Sequence, residues 1–393
     1  MIKVLEFIEE SEVKPVGGPR GYVYNLTKNY NSSKIEISYL PSSNSSKKHK
    51  KIRLPKLLKN PLKIIKDIYK IYKLENGQEV TVNIDNFDII HFHSTQDLYS
   101  VRRKLKNYKG KTILTSHSPK PLFLEFIEDW YNNFERAVIG SYSKKKYEAM
   151  DEYAFNNADY ILFPCEYAEE PYINNWSEYK EIKKKNKDKY IYIETGAICK
   201  NPSISSEEIW KELNIQNKFL ISYVGRHLEV KGYDKLKEYG KILIEKYKDV
   251  CVVVCGKEEP IKGLDDSRWI ELGWTTNADS YIAASDVFVL PNKETYFDLI
   301  MIEVLSLGKI IIASYTGGNK YFEKFKDSGI FLYKSDSEFF QILDRIHSMS
   351  VEERKYLGHL NYTIYEENFN EQIFGMKYEN TIKQIYNNKK TFR

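Results

Sequence analysis

Short apolar runs rich in β-branched residues alternate along the chain with longer segments in which apolar positions recur every three or four residues. The short runs predict buried strands, the longer ones amphipathic helices. In the first half the strand-like runs are IKVLEF (2–7), IEISYL ending at Leu40, DIIHFH (88–93), TILTS (112–116), YILFP (160–164) and YIYIE (190–194). In the second half they are FLISYV (219–224), CVVVC (251–255), WIEL (269–272), DVFVL (286–290), IIIAS (310–314) and GIFLY (329–333). A strand that is apolar throughout is covered on both faces, as in parallel sheets flanked by helices. Two such series predict two doubly wound, Rossmann-like α/β domains.

The join falls near GAICKNPSISSEEIW, where glycine, proline and serine collect before SEEIWKEL restarts a helix with a serine cap and an acidic first turn. This predicts an N-terminal domain over 1–198, a C-terminal domain over 199–370 and a closing helix over 371–393. That helix carries Ile373, Phe374, Tyr378, Ile382 and Ile385 on one stripe. The stripe is read as core packing, with the helix turning back onto the N-terminal domain.

Composition adds exclusions. At 393 residues the chain exceeds what one core usually supports, and 42% hydrophobic content with 14% aromatics marks a globular protein. A net charge of +5 from 60 basic and 55 acidic side chains excludes a general polyanion binder, and no nucleic-acid partner is expected. The four cysteines, Cys165, Cys199, Cys251 and Cys255, lack metal-ligand spacing, and strand geometry keeps the last two from bridging. MIKVLEFIEE has no cleavage pattern, and no stretch approaches the roughly 18 apolar residues of a spanning helix. The expectation is a reduced, cytoplasmic protein.

Ligands of doubly wound sheets bind outside the carboxyl ends of the strands, where strand order reverses. Two such domains facing each other form an interdomain cleft, and the polar residues that follow strands are its candidates. In YVGRHLEVKG a strand ends at Val224, the chain turns at Gly225, and Arg226 and Lys231 precede a helix. Two cations beside a helix N-terminus suit a diphosphate. Downstream, DVFVL stops at Pro291, and a helix then carries Glu303 among apolar neighbours. A carboxylate there needs donors, either the paired hydroxyls of a ribose or a nearby lysine.

Together VGRHLEVKG, ASDVFVLPNKET and FDLIMIEVLSLGKIIIAS resemble retaining glycosyltransferases of family 4, which adopt the two-domain GT-B fold. The resemblance covers most of the second half. It implies that Arg226 and Lys231 hold the diphosphate of a nucleotide sugar, that Glu303 holds the ribose, and that main-chain amides over Phe297, Asp298, Leu299 and Ile300 reach sugar and phosphate. The family spaces two glutamates eight positions apart with Phe-Gly after the first. Here that position is Thr295, Glu294 stands one residue early, and Asp298 replaces the glycine. Either Glu294 reaches in by a shifted loop, or Thr295 or Asp298 takes over the contact to the donor sugar.

The first half matches more loosely. In EVKPVGGPRGYVYNL, Gly17 and Gly18 follow a strand and precede a helix, with Arg20 an added cation; exposed amides in such a loop cradle anions. DIIHFHS and TILTSHSPKP resemble the family's histidine-bearing strand ends, which places His117 close to the transferred sugar. His91 and His93 share a strand face and are read as structural.

The chemistry implied is front-face displacement with retention, in which Arg226 and Lys231 stabilise the leaving diphosphate and His117 serves the transferred sugar. The donor expected is a UDP- or GDP-sugar, with no further cofactor and no metal, since no Asp-x-Asp in a metal-binding context appears. The acceptor expected is a glycan, glycolipid or glycoprotein in bacterial surface polysaccharide synthesis. Residues 47–73 hold eleven Lys or Arg against one acid, interleaved with Leu, Ile and Tyr, which suits peripheral attachment to an anionic membrane surface. The competing reading is a catalytically weakened relative, a sugar-binding or partner-enzyme scaffold, motivated by Thr295.

Overall fold

The computed structural model describes residues 1–42, 56–77, 79–215 and 218–388. All twelve apolar runs form strands. The first six are β1 (Ile2–Glu9), β2 (Ile35–Leu40), β3 (Ile89–Phe92), β4 (Lys111–Leu114), β5 (Tyr160–Phe163) and β6 (Tyr190–Tyr192). The second six are β7 (Phe219–Val224), β8 (Val250–Cys255), β9 (Trp269–Gly273), β10 (Val287–Leu290), β11 (Ile310–Ser314) and β12 (Ile330–Tyr333). Each six form one parallel sheet, and the chain divides into two compact units. One contains Met1–Pro164, Pro171–Ile193 and the chain from Gly375 onward; the other contains Cys165–Glu170 and Glu194–Phe374.

In the first unit the strands lie in the order β2-β1-β3-β4-β5-β6. The chain steps outward from β1 to β2 and then crosses back, so strand order reverses between β1 and β3. There Val4 pairs with Ile89, Leu5 with Ile90 and Glu6 with His91. Val4, Leu5, Ile89, Ile90, Phe92 and Leu114 are all fully buried, as parallel strands with two covered faces require. Helix α1 (Pro19–Thr27) follows the Gly17-Gly18 turn, with Gly18 at a φ of 74° and Pro19 opening the first turn. Helices α2 (Lys56–Asn76) and α3 (Asn133–Asn157) pack beside each other, and α3 starts with a capping box between Asn132 and Glu135.

The second sheet runs β12-β11-β10-β7-β8-β9, and its reversal lies between β7 and β10. In β8, Val250, Val252, Val253 and Val254 are at most 1% exposed. Burying each such side chain contributes about 1.5–3 kcal/mol, so the strand is fixed by its own composition. Helix α4 (Tyr233–Lys246) covers the sheet with Tyr233, Leu236, Tyr239 and Leu243. Helix α5 (Leu299–Ser306) follows the loop after β10. The helix at the sequence join, Ser206–Glu212, is capped by Ser205 together with Glu208, the serine cap and acidic turn expected there. The last helix, α6 (Glu371–Asn387), contributes Tyr378, Ile382 and Ile385 to the core of the first unit.

Candidate active site

At the reversal point of the second sheet, two loops are locked together by a glycine. Gly232 caps α4 in the left-handed region at φ 66°, and a Cβ there would stand 1.7 Å from the carbonyl oxygen of Pro291. No side chain fits, so the loop after β7 and the loop after β10 approach as bare backbone. Lys293 and Glu294 donate their amides to the carbonyl of Val230 on the facing loop.

This approach brings Lys231 to Asp298, with Nζ 2.7 Å from Oδ1 and 2.9 Å from Oδ2. Asn292 donates to the same carboxylate. Burial alone raises the Asp298 carboxyl, but the Lys231 charge and the hydrogen bonds of Lys231, Asn292 and Thr295 outweigh it and hold the group below its ordinary value. Arg226 is exposed and enters no salt bridge among the described residues. The Lys231 ammonium is therefore held in place, whereas the Arg226 guanidinium is open to solvent.

The other expected donor contacts divide by burial. Thr295 is fully buried, and its carbonyl accepts from Gly318. Phe297 is buried against Phe322 at 5.5 Å between ring centres, so only its main chain can meet a ligand. Asp298, Leu299 and Ile300 are partly exposed at the start of α5, where first-turn amides lack partners within the helix. Glu294 is partly exposed on the same loop. Glu303 meets Lys200, whose Nζ lies 2.9 Å from Oε1, so the lysine partner left open by the sequence is the one found. Burial raises the Glu303 carboxyl, with Lys200 opposing it.

At the reversal point of the first sheet, Gly17 and Gly18 form the turn ahead of α1 with open space beside their Cα atoms. Arg20 does not turn toward an anion site there; it pairs with Glu12 at 2.7 Å, both half-exposed. Behind this turn lies a buried network. Glu6 is fully enclosed, and its Oε2 takes His93 Nε2 at 2.7 Å while Tyr378 of α6 donates to its Oε1 at 2.6 Å. His93 Nδ1 meets His117 Nε2 at 3.0 Å. His91 spans Tyr378 through Nδ1, at 3.0 Å, and Thr115 through Nε2, at 2.8 Å. The Tyr22 ring of α1 closes over His117 with 4.9 Å between centres.

The proton order of this network follows from its charges. Burial raises the Glu6 carboxyl, yet attraction to His91 and the hydrogen bonds from His91 and His93 hold it well below the carboxylate range, so Glu6 accepts. Burial lowers His93 to about 4, with the neighbouring His91 adding to the effect, and burial likewise drives His117 well below its usual value. A neutral His93 that donates from Nε2 to Glu6 carries its lone pair at Nδ1. His117 must then donate from Nε2, which makes its Nδ1 the acceptor nitrogen. Glu6, His91 and His93 hold ligand atoms within 4.8 Å of one another, a spacing a cation can bridge. Their contacts are hydrogen bonds that already use both nitrogens of each ring.

Sequence reasoning thus missed Glu6, Tyr378, Asn292 and Lys200 as members of these sites. A carboxylate inside the apolar run IKVLEF was the one available signal for Glu6.

The six-strand parallel sheets cover nearly whole chains of known structure. Sucrose-phosphate synthase from Thermosynechococcus elongatus superposes with a TM-score of 0.66 at 15% identity, over 98% of this chain and 99% of that one. HepE of Anabaena, in complex with UDP-glucose, gives 0.64 at 12% identity, over 98% and 100%. The fold is GT-B.

Within this GT-B chain, residues 218–348 match the family model described as "Glycosyl transferases group 1". An uncharacterized 41.2 kDa protein in the cps region of Klebsiella pneumoniae is 25% identical over 249 residues, 60% of this chain and 62% of that one. The capsular polysaccharide biosynthesis glycosyltransferase CapM of Staphylococcus aureus is 28% identical over 178 residues, 42% and 46% of the two chains. The match spans less than two thirds of the length of either relative. Over these segments the chain is similar to glycosyltransferases, and no helix among its described residues is long and apolar enough to cross a membrane.

Proposed function

We propose that the chain is a retaining glycosyltransferase of the family 4 type. It moves a sugar from a UDP- or GDP-sugar to a hydroxyl of a glycan, glycolipid or glycoprotein in surface polysaccharide synthesis. The observation that carries this reading is the pairing of Lys231 with an Asp298 carboxylate that Asn292 also holds, with Arg226 exposed on the same loop as Lys231, at the reversal point of the second sheet. A cation fixed in place before the ligand arrives needs no reorganisation when charge develops, which is how preorganised groups lower a barrier. Arg226 and Lys231 take the diphosphate, the amides at the start of α5 assist, and Glu303 receives the ribose. In the first unit the Gly17-Gly18 turn and a neutral His117 serve the transferred sugar. The leaving phosphate accepts the proton of the incoming hydroxyl, and no divalent ion is required. UDP-glucose in HepE and the capsular role named for CapM support the donor class and the pathway.

The partner surface proposed is an anionic membrane. Residues 47–55 of the basic run lie outside the described residues. On α2, Leu62, Ile65, Tyr69 and Tyr72 are 43–61% exposed at spacings of three and four, with Lys66 and Lys73 also exposed. An exposed apolar stripe with lysines alongside is the pattern of a helix lying in a lipid interface. Sedimentation with anionic vesicles tests it, and no binding at low salt removes the membrane from the reading.

One observation favours the scaffold alternative: full burial of Thr295 leaves no acid at the position where the family presents one to the donor sugar. Release of nucleoside diphosphate from a panel of nucleotide sugars separates the two readings. Turnover of any donor supports the enzyme, and binding without turnover across the panel supports the scaffold.

A further inference from the structure

His117 occupies a strand end beside a glycine turn, yet the groups that decide its state lie behind it. Four elements converge there: β1 brings Glu6, β3 and the position just after it bring His91 and His93, α1 brings Tyr22, and α6 brings Tyr378. The chain Tyr378 to Glu6 to His93 to His117 is continuous, with contacts of 2.6, 2.7 and 3.0 Å. Two of its members, His93 and Tyr378, lie 87 and 372 positions from Glu6 in the sequence, so no local helix or turn requires the arrangement. A buried acid is costly, and replacing it with an apolar residue of similar volume is often neutral or stabilising. Its presence therefore calls for a role beyond packing.

We propose that Glu6 and His93 are positioning residues that fix the ring proton of His117 at Nε2, with the Tyr378 hydroxyl holding Glu6 as their common acceptor. This rests on the reading in which His117 meets the transferred sugar. The direction of donation is set at one end only. Glu6 can accept but not donate, so His93 turns its N–H toward Glu6 and its lone pair toward His117. His117 then has a single neutral tautomer, and a hydroxyl group approaching it meets a ring of fixed polarity. Without the carboxylate, both tautomers of both rings become accessible. His91 meets Tyr378 and Thr115 and lies 3.2 Å from the Glu6 carboxylate through Nδ1, so it steadies the acceptor on which the chain to His117 depends.

The Glu6→Gln substitution keeps size and inverts the end group. Its amide can donate to His93 Nε2, which moves the His93 proton to Nδ1 and drives the His117 proton from Nε2 to Nδ1. Long-range nitrogen-proton NMR of the histidine rings reads this directly in the full-length chain, without any assay of turnover. The expected result is His117 protonated at Nε2 in the native protein and at Nδ1 in Glu6→Gln. The same variant should lower kcat about tenfold or more while KM for the nucleotide sugar changes by less than about twofold, because a misplaced imidazole proton impairs the chemical step. A native spectrum with the His117 proton at Nδ1 overturns the proposal, as does an unchanged tautomer in a folded Glu6→Gln. If the tautomer moves but kcat does not, the relay stands and the role of His117 at the sugar falls. Should Glu6→Gln not fold, His93→Leu removes the acceptor instead; a native-like Nε2 signal at His117 in that variant also overturns it.

Discussion

The two sheets share a topology of reversal yet equip that point in opposite ways. In the first unit the polar groups at the reversal are enclosed, bonded to one another and centred on a carboxylate that only accepts. In the second they stand partly open, with one cation tethered and one in solvent. The first arrangement suits a neutral ring that must hold one orientation with water excluded. The second suits an anion that arrives with its own charge and must displace only solvent around Arg226. A reversal of strand order in each sheet therefore supplies a place for chemistry, while burial decides whether the place offers polarity or charge.

Breaking the enclosed network should have the largest effect. Glu6→Ala leaves His93 and Tyr378 without their acceptor in the core, and stability to urea should fall by about 3–5 kcal/mol. A loss below about 1 kcal/mol would show that the network is not under the constraint described. Next in size, Arg226→Ala should lower kcat roughly a hundredfold, about 3 kcal/mol of barrier, with stability unchanged because the side chain is exposed. Activity within about threefold of native would end the case for the guanidinium at the leaving diphosphate.

Acid should separate the two regions further. His93 is faced by Glu6, His91, His117 and Tyr22, and its proton affinity drops on folding from 6.5 to about 4. The unfolded chain therefore takes up the proton first. The stability that His93 contributes is complete above pH 6.5 and is lost as pH falls toward 4, amounting to about 2 kcal/mol by pH 5. Urea midpoints at pH 7 and pH 5 check this, and a flat profile across that window contradicts it. The smallest effect sharpens the second region: Asp298→Asn frees Lys231 from its anchor and should reduce kcat about tenfold. A rise in activity would mean that the carboxylate competes with the diphosphate instead of aiming the ammonium at it.

What could be read from the sequence divides along similar lines. Twelve strands were legible because strands buried on both faces write themselves as unbroken apolar runs, from IKVLEF to GIFLY. The cap at Ser205 was equally visible, since Glu208 lies three residues on. The partners of charged residues were not. Lys231 and Asp298 are 67 positions apart, and nothing local distinguishes Asp298 from an ordinary loop acid. His91 and His93 were placed on one face, but the face holds Glu6 only because β1 and β3 are neighbours in register. Tyr378 was read as one apolar position on a helical stripe; its ring is indeed buried, and its hydroxyl is what joins the network.

The last helix also constrains how such chains recombine. From Gly375 onward it belongs with the first sheet, and Tyr378 supplies one of the donors to an acid with no access to water. A hybrid made by one crossover in mid-gene would graft a foreign helix against Glu6, so a foldable chimera needs two junctions, one near Glu194 and one near Phe374. Exchange of the intervening segment then replaces the whole second unit except Cys165–Glu170, which the recipient chain keeps.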